Sequence, residues 1–505
     1  MITIYKNLKN NFTSFLDFLA STKGSHRDKT IRSGYWIGLS SLVVRSLEFI
    51  RFIILARILM PEVFGVMSII LIVSNSLEAF TQFNFKTVLI YKQQHVEESA
   101  NTAWCLNIIR GCVLALCVYA SAPYVAYFYK VPMLYPAIKL YSVLFLLNGL
   151  SNINTFLFEK ELNFKKVAVL KIAVSAVNII VAVYLAVVMR NIWALVYSYV
   201  IGGCFEALLT YIIQTKRPKF YFNKRLAKEI ISYSLFIAGS GILFFLTTKI
   251  DDALIGKVLG MSALGYYTYA YKLANLPSTH ITGVLSQVMF PSYSSIQNDI
   301  SQLRSIFLKV YKFISFIAIP AAAGLFLAGD AIVYVILGQR WMPLVPALKV
   351  LCLFGLFGSL AGTTTPIFQA MGKPNIIFFV MLIKFLFILL LIYPLTSHYG
   401  IVGTAWAVTI PMIFEQVYLW RILSNALQFN ISTIIRTIKG PIGGSLAMIC
   451  FIIFIKAFIN FKFGALLVLI SAAIFSYAIT VFVIDRNYYN EVLRIFIRRN
   501  AHGNS

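Results

Sequence analysis

Acidic side chains are scarce in this chain. Its 505 residues carry 18 Asp and Glu against 44 Lys and Arg, a formal net charge of +26. In a soluble protein that excess would point to nucleic acid. Here only 12% of residues are charged, 59% are hydrophobic and the mean hydropathy is +0.81. Much of the positive charge falls in the gaps between long apolar runs, where the positive-inside rule puts it, so no nucleic-acid partner is expected. The six cysteines, Cys105, Cys112, Cys117, Cys204, Cys352 and Cys450, form no CxxC and lie inside apolar segments. They read as small buried hydrophobes, which excludes a disulfide framework or a thiolate metal centre. The five histidines are scattered, and HExxH, GxGxxG and P-loop motifs are all missing, so neither a metal nor any other cofactor is expected. Large connections are lacking too. The longest on the outer side, 329–345, has 17 residues, whereas a soluble catalytic domain needs about 50 or more. The adjacent acids Asp251 and Asp252 have no third ligand and read as a helix-end cap or a contact between lobes. An enzyme is not expected.

What the chain does have is apolar length. A membrane-spanning helix takes about 20 largely apolar residues, and the runs place about 14 spans in an all-α polytopic membrane protein. After an N-terminal segment, 1–33, with a short interfacial helix near Phe12 to Ala20, six spans fall near 34–58, 63–85, 102–122, 137–158, 167–189 and 192–213. A basic loop, 214–229, leads to six more near 230–250, 263–290, 307–328, 346–370, 375–395 and 400–420. A loop at 421–439, a further helix pair near 440–460 and 463–484, and a tail at 485–505 complete the chain. An even number of spans puts both termini on one side, and the distribution of Lys and Arg makes that side the cytoplasm. The richest patch, KRPKFYFNKRLAKE at 216–229, reads as a solvated inside loop touching anionic lipid heads.

An internal repeat divides the chain in two. ARILMPEVFG at 56–65 recurs as GKVLGMSALG at 256–265, each just after the first span of its block. The closing glycine suits a tight helix start or a close helix approach. Six spans separate the copies, so both blocks enter the membrane from the same side and the two lobes form a parallel pseudo-symmetric repeat. TFLFEKELNFKK at 155–166 and TPIFQAMGKPN at 365–375 give a looser match at the close of each fourth span.

Charges inside spans are costly and face a cavity or a partner. Arg45, Glu48 and Arg51 follow each other at i, i+3 on one face of the first span. One acid cannot neutralise two arginines, so this face is either a structural ladder or part of a substrate cavity. Arg110, Lys272 and Lys384 lie near mid-depth in their spans, while Lys249 is close enough to an end to snorkel. Together with Arg45, Glu48 and Arg51 these three cations outline a cationic chamber suited to an anionic substrate. Glu78, Glu206 and Glu415 lie 14 to 15 residues into their spans, either as an ion-coupling relay or paired to bases on neighbouring helices. Tyr266, Tyr267, Tyr269 and Tyr271 form a stripe able to stack on sugars.

Three stretches carry a family resemblance: ARILMPEVFG; KIDDALIGKVLGMSALGYYTYAYKLANLP running into VMFPSYSSIQND; and ILGQRWMPLVPALKVL ahead of TPIFQAMGKPN. From Gly34 to Leu419 the chain resembles the polysaccharide transporter family of the MOP superfamily, the Wzx-like flippases and colanic-acid exporters. The resemblance implies two six-helix lobes around a central cavity. It also implies translocation of undecaprenyl-diphosphate-linked oligosaccharide across the bacterial inner membrane for lipopolysaccharide, capsule or exopolysaccharide synthesis. Arg45, Arg51 and Lys272 would then contact the diphosphate or acidic sugars. Partners would be the polyprenyl-diphosphate-linked oligosaccharide, membrane lipids, and the polymerase and glycosyltransferases of the same pathway. A drug or metabolite antiporter of the same superfamily is the alternative, and a membrane glycan ligase a more distant one.

Overall fold

The computed structural model describes residues 26–81, 89–90, 95–279, 283–456 and 463–484. The expected helix at 12–20 and the tail at 485–505 lie outside the described residues. Among the described residues the chain is helical with no strand, because a backbone in hydrocarbon must satisfy its own hydrogen bonds. In order the helices are α1 (His26–Ile58), α2 (Pro61–Phe80), α3 (Val96–Tyr129), α4 (Leu134–Tyr141), α5 (Val143–Leu150), α6 (Phe156–Lys160), α7 (Phe164–Met189) and α8 (Ile192–Ile213). They continue as α9 (Lys224–Val258), α10 (Met261–Ala274), α11 (Gly283–Ser294), α12 (Ile300–Ile332), α13 (Val345–Ala370), α14 (Pro374–Ala426), α15 (Ile431–Lys456) and α16 (Phe463–Ile484). Nine helices among the described residues are long and apolar enough to cross a membrane, ten if one bent pair counts as a span. Helix α1 is not among the nine, since Arg45, Glu48 and Arg51 lower its apolar average.

Two expected spans are broken rather than straight. The fourth runs through α4, α5, a 3-10 turn at Ile153–Thr155 and α6, with a bend of 62°. The cause is local: Asn152 takes an extended conformation and its side chain accepts from the Asn154 N–H, an alternative to the helix that Asn offers readily. The eighth span is interrupted at Asn275, after α10 and just before Leu276-Pro277, and residues 276–279 are helical again; Pro277 has no N–H to give to the turn before it. The eleventh and twelfth are one continuous run folded back at Gly400, whose φ of 59° and ψ of −141° no β-carbon residue adopts easily. The Thr396 and Thr404 hydroxyls meet across that fold at 2.8 Å.

The chain divides into two compact units. The first comprises Met1–Leu59 and Ile70–Ile242. In it α1 and α8 pack on α7, and α3 packs on α4 and α5. The second comprises Met60–Ile69 and Leu243–Ser505. Its core lies among α11 to α14 and the start of α15, where Phe307, Tyr311, Phe368, Leu423 and Ile434 are fully covered. The C-terminal helices α15 and α16 add Met448, Ile452, Tyr477 and Val481 against Ala328 of α12. Large apolar side chains also point outward along the helices, including Leu116, Ile180, Leu390 and Phe475, each about two-thirds exposed. Water does not tolerate such a surface, whereas lipid requires it.

Within the second unit the sequence repeat meets itself. A β-carbon on Gly65 would overlap the carbonyl of Met261, and one on Gly265 would overlap the carbonyl of Pro61. Gly65 and Gly265 lie 200 residues apart, as do Pro61 and Met261, and the Ser68 and Thr268 hydroxyls, also 200 apart, meet at 3.1 Å. The first turns of α2 and α10 therefore cross at backbone contact, which only glycine allows.

Half of the cysteines contradict the expectation of burial. Cys352 is buried, but Cys112, Cys117 and Cys450 are exposed on helix surfaces. Hydropathy records only that a residue avoids water, and lipid satisfies that as well as a protein core.

Candidate functional site: charges held within the helices

In the first unit Arg51, one turn beyond Glu48, reaches across to α8. Its Nη2 donates to Ser198 Oγ at 3.4 Å, and its guanidinium carbon lies 5.1 Å from the centre of the Tyr199 ring. Tyr199 in turn packs edge-on against Tyr141, 5.8 Å between ring centres. Both partners of Arg51 are neutral. Glu48 is exposed, and among the described residues no ion pair joins it to Arg45 or Arg51. A shared helix face permits such a ladder, but the Tyr199 ring is the partner Arg51 adopts. A cation over an aromatic ring gains about 0.5–2 kcal/mol, more as the pair is desolvated, without losing its net charge. Arg45 is half-buried on the same helix.

Arg110 is different. Its Nη2 lies 3.4 Å from Glu78 Oε1 and its Nε donates to Thr81 Oγ1 at 3.4 Å. Glu206, on α8, is exposed.

In the second unit Lys384 of α14 forms an ion pair of 2.7 Å with Glu415, on the returning half of the same helix run. Beside it Gln416 is fully buried, donates to Thr364 Oγ1 at 3.5 Å and has no hydrogen-bond partner for its Oε1. Lys272 is exposed on α10 and its Nζ lies 5.8 Å from the centre of the Tyr269 ring. Tyr269 stacks on Trp341 at 4.1 Å, and Phe64 closes on both rings, at 4.7 and 5.6 Å. The three stretches that carry the family resemblance thus converge on one buried aromatic cluster next to Lys272. The tyrosine stripe serves this packing: Tyr267 and Tyr269 are buried, leaving Tyr266 and Tyr271 partly exposed.

Asp251 and Asp252 do not cap a helix end. They sit inside α9, seven and six residues before its end, where Tyr267 donates to Asp251 at 2.7 Å and Lys249 pairs with Asp252 at 2.8 Å. Lys249 therefore has a partner on its own helix and is 36% exposed. Sequence reasoning passed over another pair, Lys456 on Asp330 at 2.6 Å, which ties α15 to the end of α12. The two residues are 126 apart in the chain, and no local pattern links them.

A family model described as "Polysaccharide biosynthesis protein" matches residues 54–346, more than half of the chain. The chain belongs to that family. Among curated relatives, the "Teichuronic acid biosynthesis protein TuaB" of Bacillus subtilis is 25% identical over 419 residues, covering 82% of this chain and 86% of the relative. The "Lipopolysaccharide biosynthesis protein WzxC" of Escherichia coli is 24% identical over 371 residues, covering 72% and 75%. Among solved structures, the "Lipid II flippase MurJ, inward closed conformation" superposes with a TM-score of 0.71 at 16% identity, covering 90% of this chain and 99% of that one. An inward-facing multidrug resistance MATE transporter of the MOP superfamily gives 0.58 at 14% identity, covering 76% and 95%. The family member described here is thus a multi-pass membrane protein of a polysaccharide biosynthesis family, with the fold of the MOP-superfamily transporters.

Proposed function

We propose that this protein flips an undecaprenyl-diphosphate-linked oligosaccharide from the cytoplasmic to the outer leaflet of the bacterial inner membrane. Its fourteen spans would have both termini inside. The observation that supports this most directly is Arg51, a half-buried guanidinium held by a hydroxyl and an aromatic face. Its full charge remains available to an anion. A diphosphate cannot cross about 30 Å of hydrocarbon unaided, whereas the polyprenyl tail can stay in lipid, so the protein has to shield only the head group. Arg binds phosphate through a bidentate fork and Lys as a mobile point charge, roles that suit Arg45 and Arg51 in the first unit and Lys272 in the second. Arg110 and Lys384 have their charges balanced by Glu78 and Glu415, and in this reading they hold helices together. The polymerase and glycosyltransferases of the pathway would act on either side of the transport step.

The test is reconstituted transport of a lipid-linked oligosaccharide by Arg51→Gln and Lys272→Gln, with melting measured on the same preparations. Loss of most transport at near wild-type stability is expected. Wild-type transport by both would overturn the role of these cations. In a strain without paralogues, unchanged polymer output and leaflet distribution after gene deletion would overturn the flippase reading itself.

A further inference from the structure

The stretch between α8 and α9, expected to be a solvated loop that touches anionic lipid heads, is strapped down. Its backbone is held by side chains that are themselves buried. Asn152 Nδ2 donates to the Lys216 carbonyl at 2.9 Å and Asn154 Nδ2 to the same oxygen at 3.4 Å. Gln214 Oε1 accepts the Lys216 N–H at 3.1 Å while its Nε2 donates to the Asn154 carbonyl at 2.9 Å. Asn101 Oδ1 accepts the Lys219 N–H at 2.9 Å. Asn101, Asn152, Asn154 and Gln214 are each no more than 7% exposed. Holding an extended segment in this way uses a buried polar network, which is costly unless fully engaged.

What the strap displays is the opposite in character. Lys216, Arg217, Lys219, Lys224 and Arg225 are all exposed, with no acid from 215 to 228. Between them Phe220 is 83% exposed, although its ring touches Trp104 at 4.8 Å, and Tyr221 and Phe222 are also exposed. A loop in bulk water gains nothing from three consecutive exposed aromatics. Aromatic rings flanked by fixed cations, starting three residues after a membrane-length helix ends, match the headgroup level of a bilayer.

We propose that residues 216–225 form a rigid docking strap for anionic phospholipid headgroups, with Phe220 and Phe222 entering the interface and the five cations engaging phosphates. The proposal rests on the cytoplasmic placement of this loop for its biological leaflet, but headgroup binding does not depend on orientation. Each Lys or Arg near an anionic surface contributes about fivefold in affinity.

The experiment uses the full chain in detergent, titrated with dioctanoyl phosphatidylglycerol and, separately, dioctanoyl phosphatidylcholine. Tighter binding of the anionic lipid by at least tenfold is expected, with inorganic phosphate failing to compete. The triple variant Lys216→Gln, Arg217→Gln, Lys219→Gln should lose on the order of a hundredfold in phosphatidylglycerol affinity while melting as wild type does. Phe220→Ser with Phe222→Ser should weaken both lipids. Equal affinity for the two lipids, or undiminished phosphatidylglycerol binding by a folded triple variant, would overturn the proposal. Labelling of Lys219→Cys from outside would overturn the topology instead and leave the binding result standing.

Discussion

Both units hold a cation against a glutamate inside their helices, but with different closeness. In the first, Arg110 lies 3.4 Å from a Glu78 side chain that is 43% exposed. In the second, Lys384 lies 2.7 Å from Glu415, and the two are 15% and 12% exposed. A covered pair resists separation, because either partner alone would be left as an uncompensated buried charge. A half-open pair is screened and can exchange partners at small cost. The pair in the second unit therefore holds its helices more firmly than the pair in the first does.

The largest effect expected from this contrast is on stability in the second unit. Glu415→Gln should cost about 3–5 kcal/mol and lower the melting temperature sharply, and the double change Lys384→Met, Glu415→Leu should recover much of the loss. A double variant no more stable than the single would show that the pair is not a closed unit. Next comes Gly265→Ala, which forces the Pro61 carbonyl aside and should cost about 1–3 kcal/mol. Gly65→Ala should cost a similar amount, since the crossing is reciprocal, and clearly unequal melting shifts would break that symmetry. Arg110→Gln should cost only about 1 kcal/mol and leave transport near the wild-type rate. A marked loss of transport at unchanged stability would add Arg110 to the cations that meet the substrate.

The smallest effect concerns the start of α12. The exposed Asp299 accepts the Gln302 N–H at 2.9 Å and the Ser301 hydroxyl at 2.8 Å, and these bonds hold its carboxyl below the ordinary carboxylate range. The stabilisation of a depressed carboxylate is present above its unfolded value and is lost as the pH falls through its folded value. Asp299→Ala should lower the melting temperature slightly at neutral pH, and the gap to wild type should close in strong acid. A gap independent of pH would mean that the charge plays no part in the cap.

The helical fold was readable because spans are written in hydropathy, a property of each residue by itself. The interruptions at Asn152 and Asn275 were not, since a few polar residues or one proline vanish in an average over twenty. The family's sequence stretches were legible too, although their meeting on Trp341 was not. Arg51 was singled out from its depth, but its partners Ser198 and Tyr199 lie more than 140 residues away and depend on helix rotation. For the same reason sequence left Glu78 and Glu415 open between an ion relay and pairing, and the structure shows both paired.

The crossing of α2 and α10 has an evolutionary consequence. Residue 65 meets 261 and residue 61 meets 265, the reciprocal rule of a two-fold homodimer interface carried within a single chain. A change that improved one duplicate alone would spoil its fit to the other. Inserting one residue before either glycine would turn it about 100° around its helix and bring a β-carbon into the opposing carbonyl. These two stretches can therefore change only in step, a constraint that this crossing does not place on the segments between them.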